Sequence, residues 1–219
     1  SPLALYLAAA GVCTIGLVDC DKVDATNLQR QIAHSQASIG QRKVDSAAAT
    51  IARLDPAIRV ETHDFRVSAE NVDALVASYD LVVDGSDNFA TRYLVHDACY
   101  FAKKPLVSGA LLRFEGQLST LKAYDGRHSC YRCVFPEAPP VGLVPRCEEA
   151  GILGSVAGVI GTLQATEVLK ELLGLGTGLA GRLVIYDALE TEFRRIAVPR
   201  DPDCALCGPR PTIRPRNVA

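Results

Sequence analysis

Val12-Cys13-Thr14-Ile15-Gly16-Leu17-Val18-Asp19 is an apolar run that ends on an acid. The pattern suits a strand buried on both faces of a parallel sheet, with the aspartate at its carboxyl end. Residues 1–10 read as a helix ahead of it. Residues 41–54 follow with helical spacing at Val44, Ala47, Ala48 and Ile51, and stop at Asp55-Pro56. The alternation then repeats. Residues 58–62 read as a strand, 68–78 as a helix capped by Ser68, 80–84 as a strand, 88–103 as a helix and 105–108 as a strand. Such a rhythm predicts parallel strands covered by helices on both faces. After Glu115-Gly116 the pattern changes. Residues 117–124, 183–187 and 193–198 read as antiparallel strands, with an apolar helix at 152–173 between them. The expected fold is α/β: a Rossmann-like, mostly parallel sheet extended by antiparallel strands. It forms one domain over residues 1–213, with an extended tail at 214–219.

The chain has 219 residues, 48 % of them hydrophobic, enough for one sizeable core and too few for two full domains. A net charge of −2 gives no support for a nucleic-acid surface. The longest apolar stretch, 152–173, carries Gln164, Glu167, Lys170 and Glu171, so a buried helix is expected there and no membrane span. Eight cysteines without a secretory signal point to a reducing cytoplasm. The Pro/Arg-rich stretch 209–219 is expected to be extended or frayed.

Four of the cysteines form two pairs, Cys130-Tyr131-Arg132-Cys133 and Cys204-Ala205-Leu206-Cys207, with seventy residues between. A tetrahedral Zn²⁺ takes four thiolates at about 2.3 Å, and each CxxC turn delivers two. Gly208 follows the second pair where a tight turn needs it. Disulfides within each pair are the alternative, but a reducing compartment disfavours them. The reading is a structural Zn²⁺ on Cys130, Cys133, Cys204 and Cys207, tying the C-terminal part of the chain to its middle.

Polar groups crowd the segment from Asp19 to Gln31, too densely for core packing. Gly40-Gln41-Arg42-Lys43 then puts a lysine in the first turn of a helix. An acid ending a strand of a doubly wound sheet suits ribose hydroxyls. Arg30 and Lys43 have the charge to neutralise a polyphosphate, with Asp87 holding Mg²⁺ against it. Each of these residues taken singly also fits a solvated surface charge.

Together they form a longer pattern. Val18-Asp19-x-Asp21-x-Val23-x-x-x-Asn27-Leu28-Gln29-Arg30-Gln31, then Gly40-x-x-Lys43, then Asp84-x-x-Asp87-Asn88 resembles the MoeB/ThiF/HesA family, bacterial relatives of ubiquitin-activating enzymes. Residues 105–110, Glu115-Gly116-Gln117, both CxxC pairs and Cys147-Glu148-Glu149-Ala150-Gly151 extend the resemblance to about Ile213. Within the family it is similar to the molybdopterin-synthase adenylyltransferases. The resemblance implies ATP bound with Asp19 on the ribose, Asn27, Arg30 and Lys43 on the phosphates, and Asp87 on Mg²⁺. Asp21, Gln31 and Asn88 complete the implied cofactor-binding set. Arg30, Lys43, Asp87 and Cys147 are the candidate catalytic residues. The implied partner is a ubiquitin-like sulfur-carrier protein ending in Gly-Gly, whose terminal carboxylate attacks the α-phosphorus of ATP. The carboxylate is already ionised, so no general base is needed, and catalysis is charge neutralisation and in-line positioning.

Relatives carry a glycine-rich GxGGLG segment directly before Ser-Pro, and here Ser1-Pro2 comes first. The expectation is a fragment of a longer protein that binds ATP poorly. Residues 209–212 resemble the stretch that leads into a rhodanese domain in fused relatives. Cys147, in a Pro/Gly-bounded stretch, reads equally as a sulfur-relay thiol and as an inert one. Cys99 reads as core, Cys13 and Cys20 as small core residues, and His34, His63, His96 and His128 as structural. Gly154, Gly158 and Gly161 on the apolar helix suggest close packing in a homodimer. Two rival readings stand beside the main one. A nicotinamide-dependent dehydrogenase fits the sheet and Asp19, but gives Asn27–Gln31 and the cysteine pairs no role. A non-catalytic zinc-stabilised adaptor for a ubiquitin-like protein fits the missing glycine loop, but leaves Arg30, Lys43 and Asp87 unexplained.

Overall fold

A computed structural model describes residues 1–140 and 151–216. In chain order the elements are α1 (Pro2–Ala9), β1 (Thr14–Val18), α2 (Lys43–Leu54), β2 (Arg59–His63), α3 (Val72–Ala77), β3 (Val82–Asp84) and α4 (Phe89–Ala102). They continue with β4 (Leu106–Leu112), β5 (Glu115–Leu121), α5 (Tyr131–Val134), α6 (Gly154–Leu173), β6 (Arg182–Asp187) and β7 (Glu192–Ala197). The strand–helix alternation read from the sequence is therefore present, as is the hand-over to antiparallel strands.

β1 and β2 pair in parallel, with Thr14 opposite Arg59 and Val18 opposite His63. The other five strands form one sheet in the order β3-β4-β5-β6-β7. Its β3–β4 ladder is parallel and its remaining three ladders are antiparallel. Among the described residues the antiparallel extension is thus larger than the parallel part. The reason is local: β4 returns directly into β5 through a hairpin with Arg113 in the left-handed region, φ 53°.

Alternate side chains of the strands feed two cores. Val83, Val107 and Leu118 pack with α1, α2 and α6, around Leu7, Ile51, Ala165 and Val168. Val82, Leu106 and Leu121 face the other way and pack with α3 and α4, around Val72, Val76 and Tyr93. Neighbouring residues of one strand thus bury on opposite faces, as the two-residue period requires. Each fully buried aliphatic side chain contributes about 1.5–3 kcal/mol.

The apolar helix α6 lies against its own chain. Gln164 reaches from it to donate to the Asp84 and Val107 carbonyls at 2.9 and 3.4 Å. A Cβ on Gly109 would stand 2.6 Å from that Gln164 side chain, so the strand needs glycine there. Gly154 meets the Gln29 backbone and Gly161 faces Pro2 and Leu3 of α1. Two of the three glycines behind the expected dimer therefore serve packing within the chain.

Two local expectations change. α3 begins at Val72 rather than at Ser68. Asn71 accepts from the Ser68 N–H at 2.9 Å and donates to the Arg66 carbonyl at 3.0 Å, which folds the intervening residues into a turn. Cys13 and Cys20 are exposed, not core. Within the described part of the tail, Arg216 makes a two-pronged bond to Asp73 of α3, at 2.8 and 2.7 Å. Cys99 is core as expected, 1 % exposed, and burial pushes its thiol up. No helix among the described residues is long and apolar enough to cross a membrane.

Candidate functional site

The four paired cysteines converge. Cys130 Sγ lies 3.7 Å from Cys133 Sγ and 3.5 Å from Cys204 Sγ, and Cys133 Sγ lies 3.4 Å from Cys207 Sγ. All four sulfurs fall within 4.8 Å of one another. A tetrahedron with arms of about 2.3 Å has edges of about 3.8 Å, so the cluster fits Zn²⁺ with four thiolate ligands. Three of the cysteines are buried, with Ala123 and Leu206 packed around them.

Backbone N–H groups and one arginine surround the sulfurs. The Cys130 and Asp201 backbone N–H groups point at Cys133 Sγ, at 3.5 and 3.4 Å. Arg200 donates to the Gly126 and Cys207 carbonyls. Hydrogen bonds from the neighbouring thiols, with help from Arg200, lower Cys207 to about 5. Cys130, which gives its hydrogen bond to Cys207, is pushed up. Gly208 closes the second turn: its N–H donates to Cys204 O at 3.0 Å, and a Cβ there would sit 2.5 Å from that oxygen.

The second group of candidates gathers at the carboxyl end of β1. Asp19 accepts the Asp21 N–H at 2.8 Å on Oδ1. Lys43, in the first turn of α2, donates to Asp21 Oδ2 at 2.8 Å and lies 3.7 Å from Asp19 Oδ2. Backbone pairing fixes the lysine there, because its N–H donates to Asp21 O at 2.9 Å. Burial raises the Asp19 carboxyl, against the Asp21 N–H and Lys43. This arrangement presents one cation and two carboxylates on a strand end, the equipment for a phosphate and a sugar hydroxyl.

The remaining candidates hold their own loops in shape. Asn27 Oδ1 accepts the Asp24 N–H at 3.2 Å, while Asp24 accepts from Thr26, so residues 24–27 form a capped turn. Arg30 Nη1 donates to Thr26 O at 3.4 Å. Gln31 Oε1 is buried without a hydrogen-bond partner among the described residues. Asn88 caps α4 by accepting the Thr91 N–H at 2.9 Å, and its Nδ2 lies 3.5 Å from Asp87 Oδ1. Asp87 is exposed. Three residues before it, at the end of β3, Asp84 is buried and its Oδ2 has no hydrogen-bond partner among the described residues. Burial raises that carboxyl. The turn at 84–87 thus carries one exposed and one buried carboxylate, the residue type that holds a divalent cation. Cys147 lies outside the described residues.

Sequence reasoning assigned no role to Asp84 or Arg92. Arg92 donates Nε and Nη2 to Ser86 O at 3.1 and 2.8 Å and so grips the turn that carries Asp87. The doublet of acids at 84 and 87 was a signal for the first. No local pattern marks the second. The four histidines make structural bonds: His34 to Ser46, His63 to Tyr79, His96 to Asp97 and His128 to Asp125.

The ThiF family model matches residues 1–206. The chain is 53 % identical over 213 residues to a Bos taurus protein named adenylyltransferase and sulfurtransferase MOCS3, covering 97 % of the chain and 46 % of that protein. It is 47 % identical over 218 residues to a Thermus thermophilus sulfur carrier protein adenylyltransferase, covering 97 % and 80 %. The chain thus spans about half the length of the first of these relatives. Among solved structures, E. coli MccB with MccA-N7isoASN superposes with a TM-score of 0.80 at 20 % identity, over 94 % of this chain and 63 % of that one. That likeness concerns the fold.

Proposed function

Because this chain belongs to the ThiF family, we propose that it adenylates the C-terminal glycine carboxylate of a ubiquitin-like sulfur-carrier protein, for sulfur transfer to molybdopterin or, through other carriers, to thiamine or tRNA. A carboxylate oxygen bonds to the α-phosphorus of ATP, the bond from that phosphorus to the oxygen bridging to the β-phosphate breaks, and pyrophosphate leaves. The products are an acyl-adenylate and pyrophosphate. Two anions must meet, so the task is neutralisation and alignment.

The observation that carries this reading is Lys43 held between Asp19 and Asp21 at the end of β1. In the proposal Asp19 takes the ribose, with Asp21 beside it. Asn27, Arg30, Gln31 and Lys43 surround the phosphates. Asp87 holds Mg²⁺, and Asn88 sets the turn. Cys130, Cys133, Cys204 and Cys207 hold Zn²⁺ as a structural tie. Adenylation asks nothing of Cys147, whose role would fall in later sulfur transfer. The names of the bovine and Thermus relatives, at 53 and 47 % identity, support both the reaction and the carrier.

The active protein is proposed to be a cytoplasmic homodimer. The thiolate-rich metal site suits a reducing compartment. Leu172, Leu173 and Leu175 stand exposed at the end of α6 and favour self-association. Sedimentation at micromolar concentration tests the dimer, and exchange of labelled pyrophosphate into ATP tests the reaction.

A further inference from the structure

A metal knuckle needs its two sulfurs, and the residues between them are free to vary. In the second pair those residues are Ala205 and Leu206, and Leu206 is simply buried. In the first pair they are Tyr131 and Arg132, and both grip α4. Arg132 bonds Asp97 twice, Nε to Oδ1 at 3.0 Å and Nη2 to Oδ2 at 2.8 Å. Its guanidinium lies 4.6 Å over the Tyr93 ring. The two charged side chains are 19 and 8 % exposed. Burying such a pair is close to neutral for stability, which leaves its presence to be explained by what it orients.

Tyr131 adds a second hold. Its backbone N–H donates to His96 Nε2 at 3.1 Å, and His96 Nδ1 faces Asp97 Oδ1 at 3.2 Å. A ring that accepts on Nε2 carries its proton on Nδ1, so one neutral tautomer serves both contacts. The Tyr131 ring meets Tyr93 edge-on at 5.2 Å. Its hydroxyl is buried in the field of the Arg92 guanidinium. Arg92 is the residue that donates twice to Ser86 O, next to Asp87. Ser86 N–H in turn donates to Asp84 Oδ1 at 2.8 Å. The first cysteine pair is thus bonded to the middle of α4, and the first turn of the same helix is bonded to the turn at 84–88.

We propose that Tyr131 and Arg132 are positioning residues that lock α4 to the cysteine knuckle and thereby hold the turn bearing Asp87 in shape. The purpose of that turn rests on the proposed function; the mechanical link rests on the contacts alone. The test is hydrogen exchange at the amides of Ser86, Thr91 and Arg92 in the full chain, with zinc measured in the same samples. Arg132→Gln should speed exchange at these amides roughly three- to thirtyfold while zinc stays bound. Arg132→Lys, which keeps the charge but loses the fork, should fall between it and wild type. Asp97→Asn gives a second route to the same loosening if Arg132→Gln does not fold. Lys170→Gln breaks an ion pair on the other face of the sheet, with Glu167, and should leave the three amides unchanged. Protection at 84–92 that is unmoved in Arg132→Gln or Asp97→Asn with zinc retained overturns the proposal. Equal loosening by Lys170→Gln overturns it as well, since the effect would then be general destabilisation. Absence of pyrophosphate exchange in the wild type would count against the nucleotide reading and leave the amide result standing.

Discussion

Lys43 donates to Asp21 across 2.8 Å, and the same nitrogen stands 3.7 Å from Asp19. The lysine is 12 % exposed, so in the free chain its charge is already matched by two carboxylates. A phosphate group entering there has to displace Asp21 from it. Asp21, 65 % exposed, can swing into water at little cost, whereas Lys43 is fixed by its place at the start of α2.

Lys43→Ala should therefore slow pyrophosphate exchange by at least tens-fold. A lost charge on the transferring phosphorus centre costs about 2–4 kcal/mol. The fold should survive, because the lysine's ion pairs are partly exposed and worth little. Steady-state exchange together with circular dichroism checks both halves of the expectation.

Metal analysis should give one zinc per chain, with the metal lost in Cys130→Ser and in Cys204→Ser. Because the site is closed by four sulfurs, a chelator should unfold the chain rather than compete with nucleotide. Melting curves with and without chelator, run beside nucleotide titrations, separate these effects. A stable, metal-free protein would contradict the account of the cysteine cluster.

Gly208→Ala should destabilise the chain by roughly 1–3 kcal/mol, since the new methyl would meet Cys204 O and the second cysteine turn would have to open. Zinc affinity should fall with it. Gly158→Ala, inside α6 where a Cβ meets nothing within 4 Å, should stabilise the chain slightly, by about 0.5–1 kcal/mol, and serves as the comparison.

Acid should weaken the fold through Asp97. Burial alone would raise this carboxyl, but bonds from His96 and Arg132 prevail and hold it below the ordinary carboxylate range. As pH falls, the unfolded chain takes up its proton first. The stabilisation is complete above about pH 5 and is lost as pH drops through the ordinary value towards the folded one. Asp97→Asn should be less stable at neutral pH and show a flatter acid limb in urea unfolding between about pH 5 and 3. An unchanged slope would show that Asp97 is not the group responsible.

Much of this was legible in the chain itself. The apolar run ending in Asp19, the spacing of Val44, Ala47, Ala48 and Ile51 and the two CxxC pairs are local patterns, and local patterns set elements and metal turns. What escaped depends on partners far apart in sequence. Arg132 and Asp97 are separated by 35 residues, and no periodicity links them. The glycines of α6 signalled a close neighbour but not which one, and α1 and Gln29 of the same chain fill that place for two of them. Ser68 and Asn71 are both good cap residues. Asn71 stands at the start of α3, but its amide bonds backward, to the Ser68 N–H and the Arg66 carbonyl, and so shapes the preceding turn instead of capping the helix. Lys43, Asp19 and Asp21 were each ambiguous alone, and only their order along the chain, with Asn27, Arg30 and Asp87, resembled a nucleotide site.

The most direct measurement is exchange of labelled pyrophosphate into ATP by the full-length protein, with a ubiquitin-like carrier ending in Gly-Gly and with the same carrier lacking those two residues. The account predicts fast exchange only with the intact carrier, slowed at least tens-fold by Arg30→Ala, abolished by Asp87→Ala with zinc retained, and unchanged by Cys147→Ala. Exchange that is equally fast without the terminal glycines, or untouched by Arg30→Ala, would contradict it.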